Sequence, residues 1–364
     1  MTAALSLLAL FLAIGPLGMV VANLAAYRRP APAGGRPAVS VLIPARNEEH
    51  NIGAAARAVL ASKDVEIELV VLDDHSTDRT RAILADIADD RLRVASAVPL
   101  PPGWSGKQHA CAQLGRLARH DLMVFVDADV RLAPDAVSRM AGYMQRTDVG
   151  LASGFPHEVV KSWSEQLLLP LIHFLLLGFL PIFAMRRSTS AALGAGCGQL
   201  FIARRAAYEQ AGGHGAIHAS LHDGIALPRA FRRAGIMTGL FDADRFASCR
   251  MYSSAAEVWE GLMKNATEGM AKPVALPIWT FILGGGQILP FLLVLLAPSP
   301  AAVAALATSL ITRLLLARRF RQPVIAALLH PLGILVLLAL QWSALIRAAR
   351  GRPNTWRGRT YPAP

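Results

Sequence analysis

The sequence D-L-M-V-F-V-D-A-D-V at residues 121–130 joins a strand pattern to a pair of acidic residues. Its apolar run, residues 122–126, has the composition of a strand, and Asp127 and Asp129 follow it directly. Alternate residues of a strand point to opposite faces, but at its frayed end both carboxylates can turn toward one site. Two hard oxygen ligands suit Mg²⁺ or Mn²⁺, which leave positions open for phosphate oxygens. The stretch therefore predicts a metal–diphosphate site, and a polar turn after a buried strand is the alternative.

Short apolar strands alternate with helical patterns from residue 38 to about residue 148. The pattern predicts strands at residues 39–43, 67–72, 92–94 and 122–126, and helices at residues 51–61, 79–88 and 107–117. This alternation is typical of right-handed βαβ units, so we expect an α/β fold with a mostly parallel sheet.

Two other predicted strands also end in polar clusters, P-A-R-N-E-E at residues 44–49 and D-D-H-S-T-D at residues 73–78. Ligands of open α/β sheets bind outside the carboxyl ends of the strands, so three such clusters indicate a nucleotide site. Asp73 and Asp74 can accept hydrogen bonds from a uracil N–H or a ribose hydroxyl; capping the next helix is the alternative role.

A third feature is G-W-S-G-K at residues 103–107, a flexible turn that places Lys107 at the start of a helix. Backbone N–H groups and a lysine in this position suit a diphosphate. A turn with a solvated lysine is the alternative interpretation.

The composition indicates a membrane protein. Mean hydropathy is +0.40, the net charge is +12 and only 17% of the residues are charged. The excess of basic residues indicates a membrane surface or a polyanionic ligand. Nucleic acid is not the predicted partner, because the arginines cluster beside apolar segments without interleaved aromatic residues. The three cysteines form no C-x-x-C pair, so we expect neither a zinc site nor a disulfide framework.

Four apolar runs have roughly the length needed to span a bilayer, residues 3–26, 277–297, 301–316 and 323–346. Arg28 and Arg29 follow the first run, which predicts an uncleaved anchor, residues 1–29, with its C-terminal side in the cytoplasm; a cleaved signal peptide is the alternative. The other runs predict a C-terminal transmembrane region, residues 274–348, followed by a basic tail, residues 349–364. Three full spans would place this tail outside, against the positive-inside tendency, and we expect it in the cytoplasm.

The motifs, taken in order, resemble a family 2 glycosyltransferase of the GT-A fold. Those that carry the resemblance are P-A-R-N-E-E, L-D-D-H-S-T-D, P-L-P-P-G-W-S-G-K and V-D-A-D, then G-Q-L-F at residues 198–201 and H-D-G-I-A-L at residues 222–227. R-M-Y at residues 250–252 and W-E-G-L-M-K-N at residues 259–265 resemble the membrane-bound subgroup associated with carotenoid and hopanoid lipid glycosylation. The resemblance implies a Rossmann-like cytoplasmic domain, residues 38–265, between N-terminal and C-terminal transmembrane helices.

The resemblance also implies roles for individual residues. Asp223 would be the catalytic base, and His222 before it departs from the acidic pair usual in the family. Residues implied in nucleotide-sugar binding are Pro44, Arg46, Glu48, Asp73, Asp74, Lys107 and Asp127, and the metal ligands would be Asp127 and Asp129. On the acceptor or membrane side we expect Trp163, His222, Arg250, Tyr252, Trp259 and Lys264.

Residues 163–187 are apolar, but a full span there would separate Asp223 from Asp129, which must share one site. We therefore expect an interfacial or re-entrant pair of short helices, with a buried core helix as the alternative. W-R-G-R at residues 356–359 resembles the ending of the subgroup and is expected either to cover the active site or to be a solvated tail.

These features together predict a multi-pass enzyme of the cell (inner) membrane with a cytoplasmic catalytic domain. It would move one sugar from a nucleotide-diphosphate sugar, with UDP-sugars favoured, to a lipid acceptor, with inversion and with Mg²⁺ or Mn²⁺. The Q-x-x-R-W motif of processive enzymes does not occur, which favours transfer of a single sugar. The alternatives are a polyprenyl-phosphate glycosyltransferase and a non-catalytic nucleotide-sugar-binding scaffold, while a transporter is not favoured.

Overall fold

A computed structural model describes residues 2–352, 354–356 and 359–361. The chain forms two compact units. The sheet unit consists of Tyr27–Val159 and Ile182–Met251. The helical unit contains residues 2–26, Val160–Pro181 and the described residues from Tyr252 onward.

A seven-stranded sheet forms the centre of the sheet unit. In spatial order its strands are β3 (Leu92–Ser96), β2 (Glu66–Asp73), β1 (Ala38–Ala45), β4 (Leu122–Val126), β8 (Leu200–Arg204), β6 (Leu151–Phe155) and β9 (Thr238–Asp242). Only β8 runs antiparallel to its neighbours, so the prediction of a mostly parallel α/β sheet is confirmed. The four strands predicted before residue 148 all form.

Helices and a small sheet complete the sheet unit. The helices are α2 (Ile52–Leu60), α3 (Thr80–Ala85), α4 (Gly106–Leu117), α5 (Ala136–Gln145), α8 (Arg205–Gln210) and α9 (Asp223–Arg233). A three-stranded sheet contains β5 (Val130–Leu132), β10 (Ala247–Cys249) and β7 (His157–Glu158) in that order. The helix predicted at residues 79–88 ends earlier, at Ala85. One reason is that the Asp89 carboxylate accepts a hydrogen bond from the Arg91 backbone N–H at 3.0 Å, which stabilises a turn there.

The core lies on both faces of the large sheet, because alternate strand residues point to opposite sides. Val41 and Val124 belong to one buried cluster, together with side chains of α2 and α5. Leu42 and Phe125 belong to the other, together with side chains of α4 and α9. Burial on both faces explains why these strands are almost continuous apolar runs.

The helical unit contains the apolar segments. Its helices are α1 (Thr2–Ala26), α6 (Trp163–Leu168), α7 (Leu171–Phe179), α10 (Ala255–Ala266), α11 (Ala275–Leu283), α12 (Leu289–Leu296), α13 (Pro300–Arg319), α14 (Val324–Leu328) and α15 (His330–Ala349). A π-helical turn, Gly284–Ile288, joins α11 to α12. Four helical segments are long and apolar enough to cross a membrane, namely Thr2–Ala26, Ala275–Leu296, Pro300–Arg319 and His330–Ala349.

Two of the predicted apolar runs differ in detail. Arg313 does not interrupt α13, since its guanidinium is buried in the helical unit and donates to the carbonyl oxygen of Pro170 at 3.3 Å. The run at residues 323–346 is not one helix but two, α14 and α15. A proline near the start of α15, Pro331, lacks the backbone N–H that a continuous helix needs.

Residues 163–187 contain the expected pair of short helices, α6 and α7, with a break at Leu169 and Pro170. The last strand of the large sheet before this segment, β6, and the first one after it, β8, are antiparallel neighbours. The chain therefore leaves the large sheet and returns to it. An interfacial position for this segment stays a prediction.

The basic tail contains a short antiparallel pair, β11 (Asn354–Trp356) and β12 (Arg359–Tyr361). The W-R-G-R motif includes Arg357 and Gly358, which lie outside the described residues.

Candidate active site

The predicted site residues gather where β1, β2 and β4 end. These three parallel strands are neighbours, so their carboxyl ends meet at one edge of the large sheet. Pro44 lies near the end of β1 and pairs with Leu72 on β2. Asp127 follows β4, and its backbone N–H donates to the carbonyl oxygen of Gln199 at 3.0 Å.

Hydrogen bonds tie the loop after β1 to the loop after β2. The Arg46 guanidinium donates to the carbonyl oxygen of Asp74 at 2.7 Å, and the Thr77 backbone N–H donates to Asn47 Oδ1 at 2.9 Å. Asn47 and His75 have positive φ angles of 53° and 55°, a strained conformation for residues other than glycine. These hydrogen bonds hold the two loops together as one wall of the site, at the carboxyl edge of the sheet.

Three acidic residues of this wall are almost fully buried. Asp73 is 4% exposed and Asp74 is 5% exposed, and Asp73 Oδ1 accepts a hydrogen bond from the Ser76 backbone N–H at 3.2 Å. Glu48 is 8% exposed, and its Oε2 accepts a hydrogen bond from the Asn51 side chain at 3.1 Å. Asp73 therefore shapes its own loop, and a contact of Asp73 or Asp74 with a nucleotide stays a prediction.

Lys107 joins the predicted catalytic base, Asp223, to Asp127, a predicted metal ligand. Its ammonium lies 2.7 Å from Asp127, 3.0 Å from Asp223 Oδ2 and 3.0 Å from the carbonyl oxygen of Gly198. Burial lowers the pKa of Lys107, but the charges of Asp127 and Asp223 outweigh burial, so its pKa lies well above the usual value. Lys107 is therefore a permanent cation in this site.

Asp223 is the first residue of α9 and is 6% exposed. Burial raises its pKa, but the neighbouring Lys107 ammonium more than compensates, and the net pKa of Asp223 lies below the usual value. A partial positive charge at the helix N-terminus acts in the same direction. The carboxylate is therefore ionised at neutral pH, as a proton acceptor must be.

Asp129 has the opposite electrostatic environment. Burial and the charges of Asp127 and Glu48 raise the pKa of Asp129 to about 7. Its Oδ1 atom is buried and makes no hydrogen bond with the described part of the chain. The charge of Lys107 lowers the pKa of Asp129, but by less than burial and the two carboxylates raise it.

The residues present fit an open divalent-cation site. Asp127 and Asp129 supply carboxylate oxygens, which Mg²⁺ and Mn²⁺ prefer, and the unsatisfied Oδ1 of Asp129 is available as a ligand. No set of three or more His, Cys, Asp or Glu side chains within the described ranges is already arranged to hold a metal ion. An open site of this kind leaves coordination positions for phosphate oxygens.

Two residues that the sequence analysis did not single out, Glu158 and Cys249, also lie beside Asp129. Cys249 pairs with Val130 on one side and with Glu158 on the other, so the small sheet places all three in one row. The Cys249 thiol donates a hydrogen bond to Asp129. The sequence contains one signal for Glu158. It follows an apolar strand, β6, as other site residues follow β1, β2 and β4.

The cysteines do not supply a nucleophile. Cys111 and Cys249 are buried, and Cys197 is partly buried. Burial raises the pKa of all three thiols above the usual range, so they remain protonated at neutral pH.

The residues predicted on the acceptor side divide between the two units. His222 and Arg250 belong to the sheet unit, with His222 immediately before α9. The helical unit contains Trp163, Tyr252, Trp259 and Lys264. Trp163 is 70% exposed, whereas Trp259 packs against a buried cluster that includes Met263 and Leu340. The roles of all six in acceptor binding stay predictions.

Comparison with known families identifies the core of the sheet unit. Residues 40–212 match the family model described as Glycosyl transferase family 2. These residues form a family 2 glycosyl transferase domain. The match contains β1, β2, β4, Lys107 and both aspartates of the V-D-A-D motif, and it ends before Asp223. It confirms, for these residues, the resemblance to family 2 glycosyltransferases seen in the sequence.

A relative extends the similarity beyond the family 2 glycosyl transferase domain. The chain is 28% identical over 269 residues to 4,4'-diaponeurosporenoate glycosyltransferase of Staphylococcus aureus strain USA300, and the alignment covers 67% of this chain. The same protein of strain MRSA252 is 27% identical over 269 residues. The alignment spans 66% of the length of these relatives.

A solved structure supports the fold. A mannosyltransferase from Pyrobaculum calidifontis, in complex with GDP-Man and Mn²⁺, superposes with a TM-score of 0.53 and 21% identity. The superposition covers 95% of this chain and 98% of that chain. The similarity confirms that the glycosyl transferase domain has the fold of a known glycosyltransferase.

Proposed function

We propose that this chain is a membrane-bound glycosyltransferase that moves one sugar from a nucleotide-diphosphate sugar to an apolar lipid acceptor. The contact of Lys107 with both Asp127 and Asp223 carries the proposal. One ammonium holds the predicted base beside the predicted diphosphate site, as a single transfer step requires.

The sheet edge would bind the donor. The joined loops after β1 and β2, with Pro44, Arg46, Glu48, Asp73 and Asp74, supply a wall of polar groups for the nucleoside. Asp127 and Asp129 would hold Mg²⁺ or Mn²⁺, which when bound neutralises charge on the departing diphosphate. Lys107 adds a fixed positive charge at the same place. The similar mannosyltransferase was solved with GDP-Man and Mn²⁺, which supports a nucleotide-sugar donor and a divalent cation.

The transfer forms one bond and breaks one bond at the anomeric carbon. An oxygen of the acceptor attacks this carbon, and the bond to the diphosphate oxygen breaks with its electron pair leaving on the diphosphate. Where the acceptor is a hydroxyl, Asp223 takes its proton; where it is a carboxylate, no proton has to be removed. Attack on the face opposite to the leaving group inverts the anomeric centre.

A lipid acceptor is supported by the apolar helices and by the relative. Four helices are long and apolar enough to cross a bilayer. The relative in Staphylococcus aureus is named as a glycosyltransferase of 4,4'-diaponeurosporenoate. We propose that the chain is a multi-pass protein of the cell (inner) membrane, with its sheet unit in the cytoplasm and a carotenoid-, hopanoid- or sphingolipid-like acceptor.

The proposal is tested by transfer of radiolabelled sugar into the organic extract of membranes that contain the protein. UDP-glucose is the first donor, followed by other UDP- and GDP-sugars, with and without EDTA. Asp129→Ala is expected to lower transfer by about 10²-fold or more with any acceptor. Asp223→Asn is expected to have an effect of the same size where the acceptor is a hydroxyl. Asp121→Asn is the matched control, because the side chain of this aspartate at the start of β4 is 98% exposed.

The distribution of label separates the alternatives. Label in a neutral lipid that disappears with Asp223→Asn and with EDTA supports the proposal. Label in an anionic, acid-labile lipid indicates a polyprenyl-phosphate acceptor instead. Donor binding without transfer by any donor, unchanged by Asp223→Asn, indicates a non-catalytic scaffold and contradicts the proposal.

A further inference from the structure

Glu158 is a partly buried acid with a buried Oε2 atom, and the proposed transfer step gives it no role. It lies at the end of β7 in the row that also contains Val130 and Cys249. The Val159 backbone N–H donates to the carbonyl oxygen of Cys249 at 2.8 Å, which fixes Glu158 in this row. Val130 directly follows Asp129, so the small sheet holds Glu158 two strands away from the main predicted metal ligand.

The carboxyl group of Glu158 is not satisfied by the protein. Its Oε2 atom is buried and makes no hydrogen bond to any described residue, like Oδ1 of Asp129. A buried carboxyl oxygen without a partner loses the hydrogen bonds it would make to water, which costs about 1–3 kcal/mol. Two such oxygens, one in this row of the small sheet and one on the residue directly before it, indicate that a ligand with positive charge or with donor hydrogens belongs to this part of the site.

The charges around Glu158 point to the same conclusion. Burial and the charge of Asp129 raise the pKa of Glu158 well above its usual value. Glu48, Asp127, Asp129, Glu158 and Asp223 interact electrostatically within this cluster, and the one ammonium among them belongs to Lys107. Lys107 pairs directly with Asp127 and Asp223. It also lowers the pKa of Asp129, but by less than burial and the neighbouring carboxylates raise it, and no cation among the described residues offsets the raised pKa of Glu158.

We propose that Glu158 helps to hold the divalent cation of this site, as an outer carboxylate that accepts hydrogen bonds from water in the hydration shell of the cation. The inference rests on the proposed function, because it takes Asp129 as a direct ligand. An outer position agrees with the arrangement of the described side chains, which do not form a three-ligand group. Glu158 is a positioning residue here and does not touch the reacting sugar.

The test measures cation binding and is independent of turnover. Purified full-length protein in detergent is titrated with Mn²⁺ at pH 8, and free Mn²⁺ is followed by its electron paramagnetic resonance signal. Outer partners of metal sites typically contribute 10- to 100-fold to affinity, so we expect Glu158→Gln to weaken Mn²⁺ binding by about that factor. Asp129→Asn is expected to abolish binding, and Glu209→Gln, an exposed glutamate on α8, is expected to leave it unchanged.

Two further measurements keep the test decisive. Glu158→Asp retains the charge at a shorter reach and is expected to bind Mn²⁺ with intermediate affinity. Binding of UDP without metal reports whether each variant is folded, and it should not change in Glu158→Gln.

Failure of the inference differs from failure of the proposed function. Wild-type Mn²⁺ affinity in Glu158→Gln, together with lost binding in Asp129→Asn, overturns the role of Glu158 and leaves the proposed function intact. Unchanged binding in Asp129→Asn overturns the inference and the assignment of Asp129 as a metal ligand, because the cation would then not lie at Asp129. The transfer assay decides the proposed function separately.

Discussion

At the scale of single residues, Asp129 links cation binding to pH. Burial and the charges of Asp127 and Glu48 raise the pKa of Asp129 to about 7. The cation binds the ionised carboxylate, so at lower pH it must displace a proton. We therefore expect apparent Mn²⁺ affinity to increase between about pH 6 and pH 7, by up to about tenfold per pH unit.

Calorimetry in buffers of different ionisation enthalpy measures this effect, because it counts the protons released. About one proton should be released near pH 6 for the carboxyl of Asp129. The exposed-site variant Asp121→Asn should show the same pH dependence as the wild type. An affinity that stays constant from pH 6 to pH 8 would contradict the pKa argument.

Lys107 lowers the pKa of the predicted base, Asp223, and so extends the pH range in which this base is ionised. Its ammonium, 3.0 Å from Asp223, holds the pKa of this buried carboxyl below the usual value. Lys107→Gln removes the charge, so burial then dominates and the pKa of Asp223 rises. We expect kcat/KM to fall by about 10²-fold, and the acid limb of the pH–rate profile to move to higher pH.

A pH–rate profile of the variant with the best donor checks this expectation. Lys63→Gln serves as the control, because Lys63 is exposed on the surface of the sheet unit. An acid limb at the same pH in Lys107→Gln and wild type would show that Lys107 does not tune the base.

The sequence predicted the site residues that belong to a local motif. It missed those that reach the site through pairing between strands far apart in the chain. Lys107 and Asp127 each follow a recognisable pattern, and the structure brings them together as expected. Glu158 and Cys249 reach the site only through the three-stranded sheet, in which β7 is two residues long. A strand of two residues has no periodicity to detect, so its placement could not be predicted.

At the scale of elements, the loop of small residues at 194–198 allows the start of α9 to come close. A Cβ atom at Gly198 would overlap Asp223 Oδ1, and one at Gly224 would lie 2.7 Å from the carbonyl oxygen of Gly196. Small residues at these positions therefore permit the close backbone approach. Gly198→Ala should therefore displace the Asp223 side chain, and we expect kcat/KM to fall by about 10²-fold.

Gly215→Ala is the matched control for this prediction. A Cβ atom at Gly215 would meet Trp104 at 3.8 Å, an ordinary van der Waals contact, so activity should be retained. Both variants should keep a cooperative thermal transition close to that of the wild type. Wild-type activity of Gly198→Ala would show that Asp223 tolerates displacement and is not the base.

The accuracy of the element predictions followed the strength of the local pattern. Strands β1, β2 and β4 are buried on both faces, so their apolar runs located them within about one or two residues. The single antiparallel strand, β8, lies between β4 and β6 because of pairing across long stretches of chain. Such pairing is set by the whole sheet, and no local pattern encodes it.

At the scale of the whole molecule, the connection between β6 and β8 constrains the proposed membrane arrangement. These strands pair directly, so the segment between them must begin and end on the side where the large sheet lies. The segment contains α6 and α7, which together are too short and too interrupted to cross a bilayer twice. The segment Ala275–Leu296, in contrast, is long enough to cross once.

Cysteine labelling in sealed membrane vesicles tests this arrangement. Lys161→Cys and Thr189→Cys place exposed thiols before and after α6 and α7, and Pro298→Cys places one just after the segment Ala275–Leu296. We expect a membrane-impermeant maleimide to label positions 161 and 189 from one face of the membrane and position 298 from the other. The native thiols are buried or partly buried, and the unsubstituted protein gives the background.

Labelling of positions 161 and 189 from opposite faces would place β6 and β8 on opposite sides of the bilayer. These strands pair directly, so that result would overturn the fold as well as the membrane arrangement. Labelling of position 298 from the same face as position 161 would leave the fold intact and show that Ala275–Leu296 does not cross.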